Sequence, residues 1–259
     1  MPHLRAATLS LLLLSTLATH SVSARQATPS GRALLEQMRT AYAGRWFKTL
    51  TFVQKTTIVR PDGTRTEQTW FESMRSPDTL RIDVAPIENG NGSLNLPDKV
   101  IVIRGGKVTA TRPDGNPFLP FVAGIYTQPL ETSIAQLAPQ KYDLAATHGT
   151  DFHGRRTFVV GTAKAGDLTV PQFWVDAERL VVVRALITSG ASMLDITLDG
   201  YVQSGASWVA TKITMSAGSA VRQIEEYSDV KTDVELPAEL FDPATWMTAK
   251  HWAIHKLAN

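Results

Sequence analysis

The chain has 259 residues with 26 basic against 24 acidic side chains, so its formal charge is only +2 at neutral pH. A balance this even, with no basic cluster, excludes an electrostatic nucleic-acid binder. Cysteine is absent, which excludes disulfides, thiolate metal sites, a thiol nucleophile and an acylated cysteine anchor.

Arg5, the apolar stretch Leu9 to Leu17 and the small residues Val22-Ser23-Ala24 read as a cleavable export signal over 1–24, with the mature chain starting near Arg25. Ser10, Ser15 and Thr16 interrupt the stretch, and it is shorter than the roughly 20 apolar residues of a membrane span. The remainder, about 235 residues, suits one large domain over 25–259 with a sizeable core.

Ser30 is placed to cap a helix that carries Leu34, Leu35, Met38 and Tyr42 on one stripe and stops at Gly44. Strand signals follow at Phe47 to Val59, Arg65 to Met74 and Leu80 to Val84. Val100 to Arg104 and Lys107 to Thr111 flank Gly105-Gly106, a two-residue hairpin signal. Gly90-Asn91-Gly92-Ser93 lacks the third glycine and the strand-to-helix setting of a dinucleotide loop, and reads as a flexible surface loop.

The pattern resumes with Tyr142 to His148, Arg155 to Val160, Val170 to Asp176, Leu180 to Thr188, Met193 to Val202, Trp208 to Ala217 and Val221 to Val230. The connections are short, so these strands should lie side by side as an antiparallel meander.

Between the two runs, Gly115 to Leu130 holds no charged residue, while Phe118, Leu119, Phe121, Val122, Ile125, Tyr126 and Leu130 place apolar bulk on every side. Pro117, Pro120 and Pro129 prevent one continuous helix, so short helices are expected, the last from about Pro129 to Ala138. A segment apolar all round must be buried or must cover something apolar.

The order of these elements resembles the LolA-like family of bacterial periplasmic lipoprotein carriers and outer-membrane lipoprotein-sorting proteins. The resemblance runs from about Arg32 to Phe241 and is carried by Trp70-Phe71 leading to Arg75-Ser76-Pro77 and Arg81-Ile82-Asp83, by Val102-Ile103-Arg104-Gly105-Gly106-Lys107, by Phe173-Trp174-Val175-Asp176 leading to Val183-Arg184, and by Leu236-Pro237-Ala238-Glu239-Leu240-Phe241.

It implies a mainly β (α+β) fold, a single antiparallel incomplete β-barrel of about eleven strands with a helical lid over a hydrophobic cavity. Trp70, Phe118, Leu119, Phe121, Val122, Ile125, Tyr126, Leu130, Ile134 and Trp174 are the implied cavity and lid residues, with Trp46 and Trp208 as further candidates. Arg75 matches the family's arginine that latches the closed lid through hydrogen bonds to lid backbone, although Ser76 separates it from Pro77.

After Phe241, Asp242 and Pro243 make a good N-cap and first helical residue, so a C-terminal helix over about 243–257 is expected, bearing Trp246, Met247, Trp252, Ile254 and Leu257. Such a stripe should pack on the outside of the barrel, with a membrane surface or partner as the alternative. His251 and His255 share i and i+4 spacing but lack a neighbouring glutamate and a third ligand. His148, Asp151 and His153 sit around Gly149 to Gly154, read as a turn. No nucleophile motif is present, and neither cofactor nor metal is expected.

The resemblance thus implies a periplasmic, monomeric, non-enzymatic carrier that binds acyl chains of lipoproteins or free lipid and delivers them toward the outer membrane, in dealings with an inner-membrane transporter and an outer-membrane acceptor. The alternatives are an envelope-stress sensor of the same fold that regulates an anti-sigma factor, and a metal-dependent hydrolase using the histidines.

Overall fold

The computed structural model describes residues 28–113, 115–190 and 192–253. The expected signal over 1–24 lies outside them. Helix α1 (Gly31–Tyr42) begins where expected, with the Ser30 hydroxyl accepting from the Ala33 N–H at 3.3 Å. Its buried stripe is Leu34, Leu35, Met38 and Tyr42. Gly31 is required at its start, since a Cβ there would lie 2.5 Å from Val160 Cγ1.

Strands β1 (Thr49–Val59), β2 (Arg65–Arg75), β3 (Thr79–Val84), β4 (Asn91–Asn95), β5 (Val100–Arg104) and β6 (Lys107–Arg112) form a first meander. The apolar insert supplies a π-helical turn (Pro120–Gly124), α2 (Ile125–Thr127) and α3 (Leu130–Leu137). The second run comprises β7 (Thr147–Phe152), β8 (Arg155–Val160), β9 (Gln172–Asp176), β10 (Val182–Ser189), β11 (Ser192–Asp199), β12 (Val202–Ser204), β13 (Ser207–Val209), β14 (Lys212–Ala217) and β15 (Ala220–Thr232).

Among the described residues, thirteen strands join in the order β6-β5-β4-β3-β2-β1-β15-β14-β11-β10-β9-β8-β7, while β12 and β13 make a separate hairpin. The chain's last long strand, β15, pairs antiparallel with its first, β1, and so unites the two meanders. The sheet is not closed, because β6 and β7 remain edges. β6 is exposed throughout, and its Lys107 and Arg112 suit an unpaired edge that must not recruit another strand.

This is a mainly β, incomplete-barrel architecture, with more strands than the expected eleven. Gly90-Asn91-Gly92-Ser93, read as a flexible loop, enters the strand Asn91–Asn95, because β3 and β5 both ladder against it. The expected Tyr142 to His148 strand lies further on, at Thr147–Phe152, and runs through the expected Gly149 to Gly154 turn. Only His153-Gly154 turns there, because Phe152 already pairs with Arg155.

The expected C-terminal helix is also corrected. Over 246–253 the chain makes turns instead of a helix, and the remainder of the expected helix, with His255, lies outside the described residues. Only a short 3-10 turn, Pro243–Thr245, forms behind Asp242, whose carboxylate accepts from the Ala244 N–H at 2.9 Å. The reason is tertiary, for the segment is held flat as a strap across the outer face of β3, β4 and β5.

There Leu240, Phe241 and Trp246 bury against Leu94 and Ile103. The Trp246 ring passes over Gly92, where a Cβ would come within 2.8 Å of it. Arg81, 1% exposed, sits at the centre. Its guanidinium donates to both Asp83 oxygens at 2.7 and 2.8 Å, to the Leu240 carbonyl at 2.8 Å and to the Trp246 carbonyl at 3.0 Å, and lies 3.7 Å over the Trp246 ring. His251 Nδ1 accepts from the Ala253 N–H at 3.1 Å, so its ring proton is on Nε2 and is donated to Asp83 Oδ2 at 3.1 Å.

Burial pushes the Asp83 carboxyl up, but hydrogen bonds from His251 and Arg81 and the charge of Arg81 outweigh it and hold Asp83 below its usual value. The Trp252 indole completes the strap by donating to Ser73 Oγ at 2.7 Å.

Arg81→Met would strand a buried carboxylate and two strap carbonyls. It should cost about 3–5 kcal/mol in urea unfolding, and a loss below about 1 kcal/mol would mean that the strap is fixed by its apolar contacts instead.

Candidate functional site

Strand alternation sends every second residue of β1, β2 and β3 to the inner face of the curled sheet. Leu50, Phe52 and Gln54 of β1 therefore stand beside Trp70, Glu72 and Met74 of β2 and Leu80 and Ile82 of β3. Across the seam, Gln223, Glu225 and Tyr227 of β15 and Ile213 and Met215 of β14 face the same space. The apolar insert roofs it. Between floor and roof lies a cavity of about 280 Å³, near the lower end of the roughly 300–1,000 Å³ usual for small-molecule sites.

The roof is tied down by aromatic residues of the chain around it. Trp46, just after α1, stacks on Tyr126 with ring centroids 3.8 Å apart and donates its indole N–H to the Val122 carbonyl at 3.0 Å. The Tyr126 hydroxyl donates to the Leu180 carbonyl at 3.3 Å, and Tyr42 meets the Tyr126 ring edge-on at 5.5 Å. Within the roof, Gln128 Nε2 donates to Ser133 Oγ at 3.1 Å and Gln136 Oε1 at 2.6 Å, joining the turn to α3.

Of the residues expected here, Trp70, Phe118, Leu119, Phe121, Val122 and Tyr126 line the cavity, with Trp46 and Trp208. Ile125 is buried behind the roof and Ile134 packs on the same core from α3. Leu130 lines a neighbouring cleft of about 630 Å³, whose lining includes Arg39, Lys48 and Ser76 and is less apolar than the cavity's. Trp174 is a correction. It projects from the other face of β9, between Phe152 and the Arg184 guanidinium, which lies 4.6 Å over its ring. Its neighbours Phe173 and Val175 take the inward positions.

Arg75, expected to latch the roof, has its guanidinium 4.8 Å over the Phe241 ring, on the strap. The bond to roof backbone comes from Trp46 instead. Among the described residues no group of three metal-capable side chains assembles. His251 is engaged by Asp83, and His148 and His153 lie apart from it, against the Thr162 carbonyl and Asp199.

Sequence reading overlooked the polar groups in the cavity. Glu225 accepts from the Tyr227 hydroxyl and from Gln223 Nε2, each at 2.6 Å. Gln54 donates to Thr56 Oγ1 at 2.8 Å, and its Oε1 is buried without a partner. Burial raises the Glu225 carboxyl, opposed by hydrogen bonds from Tyr227, Gln223 and Gln54. Glu72 is raised well above the ordinary carboxylate range by burial and then by Glu225, and no hydrogen bond offsets this.

A raised carboxyl stabilises the folded state at low pH, where it holds its proton, and that stability is lost as pH rises through the raised value. Glu72→Gln, uncharged and of the same shape, should therefore melt above wild type at about pH 8, with the gap closing toward about pH 4. Equal melting temperatures at the higher pH would show that the buried carboxyl carries no such cost.

No family model and no curated protein matches the chain. Solved structures do match in fold. One is a DUF1329 family protein from Desulfovibrio piger, with TM-score 0.57 and 14% identity, covering 82% of this chain and 95% of that one. A LolA superfamily protein from Nitrosomonas europaea matches at TM-score 0.52 and 13% identity over 83% of this chain and 98% of its own. A domain from Vibrio parahaemolyticus described as an outer membrane lipoprotein-sorting protein domain matches at TM-score 0.54 and 12% identity over 84% of this chain and 98% of its own. At such identities the likeness speaks for architecture alone, and it shows that this chain has a LolA-like fold.

Proposed function

We propose that this protein is a periplasmic carrier that takes acyl chains of lipoproteins or lipids into the cavity under the insert and delivers them toward the outer membrane. The observation that carries the reading is an apolar cavity between the sheet and a roof that has no charged residue from Gly115 to Leu130. The fold shared with a LolA superfamily protein and a lipoprotein-sorting domain supports it.

Burying an acyl chain yields about 0.8 kcal/mol per methylene, so a few methylenes offset the loss of the two hydrogen bonds that tie Trp46 and Tyr126 across the roof. The protein acts by binding, without catalysis, as a monomer that receives its cargo from an inner-membrane transporter and yields it to an outer-membrane acceptor. No helix among the described residues is long and apolar enough to cross a membrane.

Phe118 lines the cavity from a half-buried position, so Phe118→Lys should keep the fold while placing a charge where a chain would lie. Binding of a fluorescent fatty-acyl probe, followed through the emission of Trp46, Trp70 and Trp208, should weaken by roughly tenfold or more with circular dichroism unchanged. Unaltered affinity in the folded variant would remove the cavity from the binding reading.

Trp46→Phe keeps an aromatic ring on Tyr126 and deletes the donor to Val122. It should speed release of a labelled lipopeptide to vesicles by roughly threefold to tenfold, the worth of one sheltered hydrogen bond, whereas Arg75→Leu should change release less. The reverse order would return the latch to Arg75.

A further inference from the structure

One part of the cavity wall gathers two carboxyl groups, Glu72 and Glu225, with Gln54, Gln223 and Tyr227. Gln54 Oε1 is buried and unpartnered, and the Glu72 carboxyl, 4% exposed, meets no hydrogen-bonding side chain. The Glu225 carboxyl accepts one bond from the Tyr227 hydroxyl and one from Gln223 Nε2. Strand register sets these groups together on one face. Gln54 is paired with Trp70 of β2 on one side and Tyr227 of β15 on the other, and it lies between the two glutamates, with Glu72 one step away on β2, level with Phe52, and Glu225 one step away in the opposite direction on β15, level with Thr56.

None of the described residues lining the cavity is a lysine or an arginine. Two carboxyl groups on an apolar wall, with no internal cation, are costly to the folded protein and contribute nothing to its packing.

We propose that this acceptor cluster is a subsite, and that the cavity selects an apolar chain bearing a primary ammonium, which Glu72, Glu225 and Gln54 Oε1 receive. The inference rests on the cavity being the site for an apolar chain, and adds which head group it takes. An ammonium brings three donors and no acceptor, which suits the unpartnered Gln54 Oε1 and the Glu72 carboxyl. Its charge lets a carboxylate ionise inside the cavity, while an anionic head would meet Glu72 and Glu225 with no compensating base.

The test compares three probes of one chain length, kept below their micellar concentrations at neutral pH: dodecylamine, dodecanol and dodecanoate, each titrated into the full-length protein by calorimetry. Dodecylamine should bind roughly tenfold or more tighter than dodecanol, as one charge-assisted hydrogen bond allows, and dodecanoate should bind weakest. In Glu72→Gln the preference for amine over alcohol should shrink to within roughly threefold.

Equal binding of amine and alcohol, or a preference for dodecanoate, would overturn the subsite and leave the acyl-chain reading intact. Binding of none of the three would overturn both. The wild-type comparison decides the matter even where Glu72→Gln does not fold, and a folded Glu72→Gln with full amine preference would remove Glu72 from the subsite.

Discussion

Everything in this molecule follows from one inner sheet face that is apolar over most of its width and yet has no partner sheet. A curled antiparallel sheet with two free edges cannot bury that face against itself, as a closed barrel does. Cover must come from elsewhere, and the chain provides it with α1 over β8 and the insert over β1 to β3. The insert is assembled from helical pieces too short to seal the face completely. The space left between roof and floor is the cavity.

The outer face poses the opposite problem, since a strand row wet on one side should be polar there. On β3 to β5 it carries Leu94 and Ile103, which the strap covers, and an ion pair whose spare donors hold the strap's carbonyls. Arg81 thus ties the strap to the sheet by charge-assisted bonds at low exposure, the setting in which such bonds are strongest. The inner and outer faces are fixed by different means.

Within the cavity the balance differs again. The protein tolerates two raised carboxyl groups on the strands that flank Gln54, a cost that a purely apolar lining would avoid. Groups retained against their own stability are most often retained for a ligand. Most of the remaining lining is apolar, so this is the part of the cavity where head-group chemistry, instead of chain length, is read.

The sequence by itself determined α1, both meanders, the Gly105-Gly106 hairpin and the broken helical insert, because capping, two-residue turns, alternation and proline placement are local physics. Alternation puts Trp70 with Glu72 and Met74, and Glu225 with Tyr227, on one strand face, but which face is enclosed follows only from the pairing of β1 with β15, and so the polar groups escaped the sequence reading. Tertiary structure alone decided that Asn91–Asn95 is a strand, since its partners impose the ladder, and that Trp174 faces away from the cavity, since Phe173 holds the inward position. It decided, too, that the strap stays flat. A sequence that caps like a helix is overruled when a buried guanidinium on a distant strand claims its carbonyls.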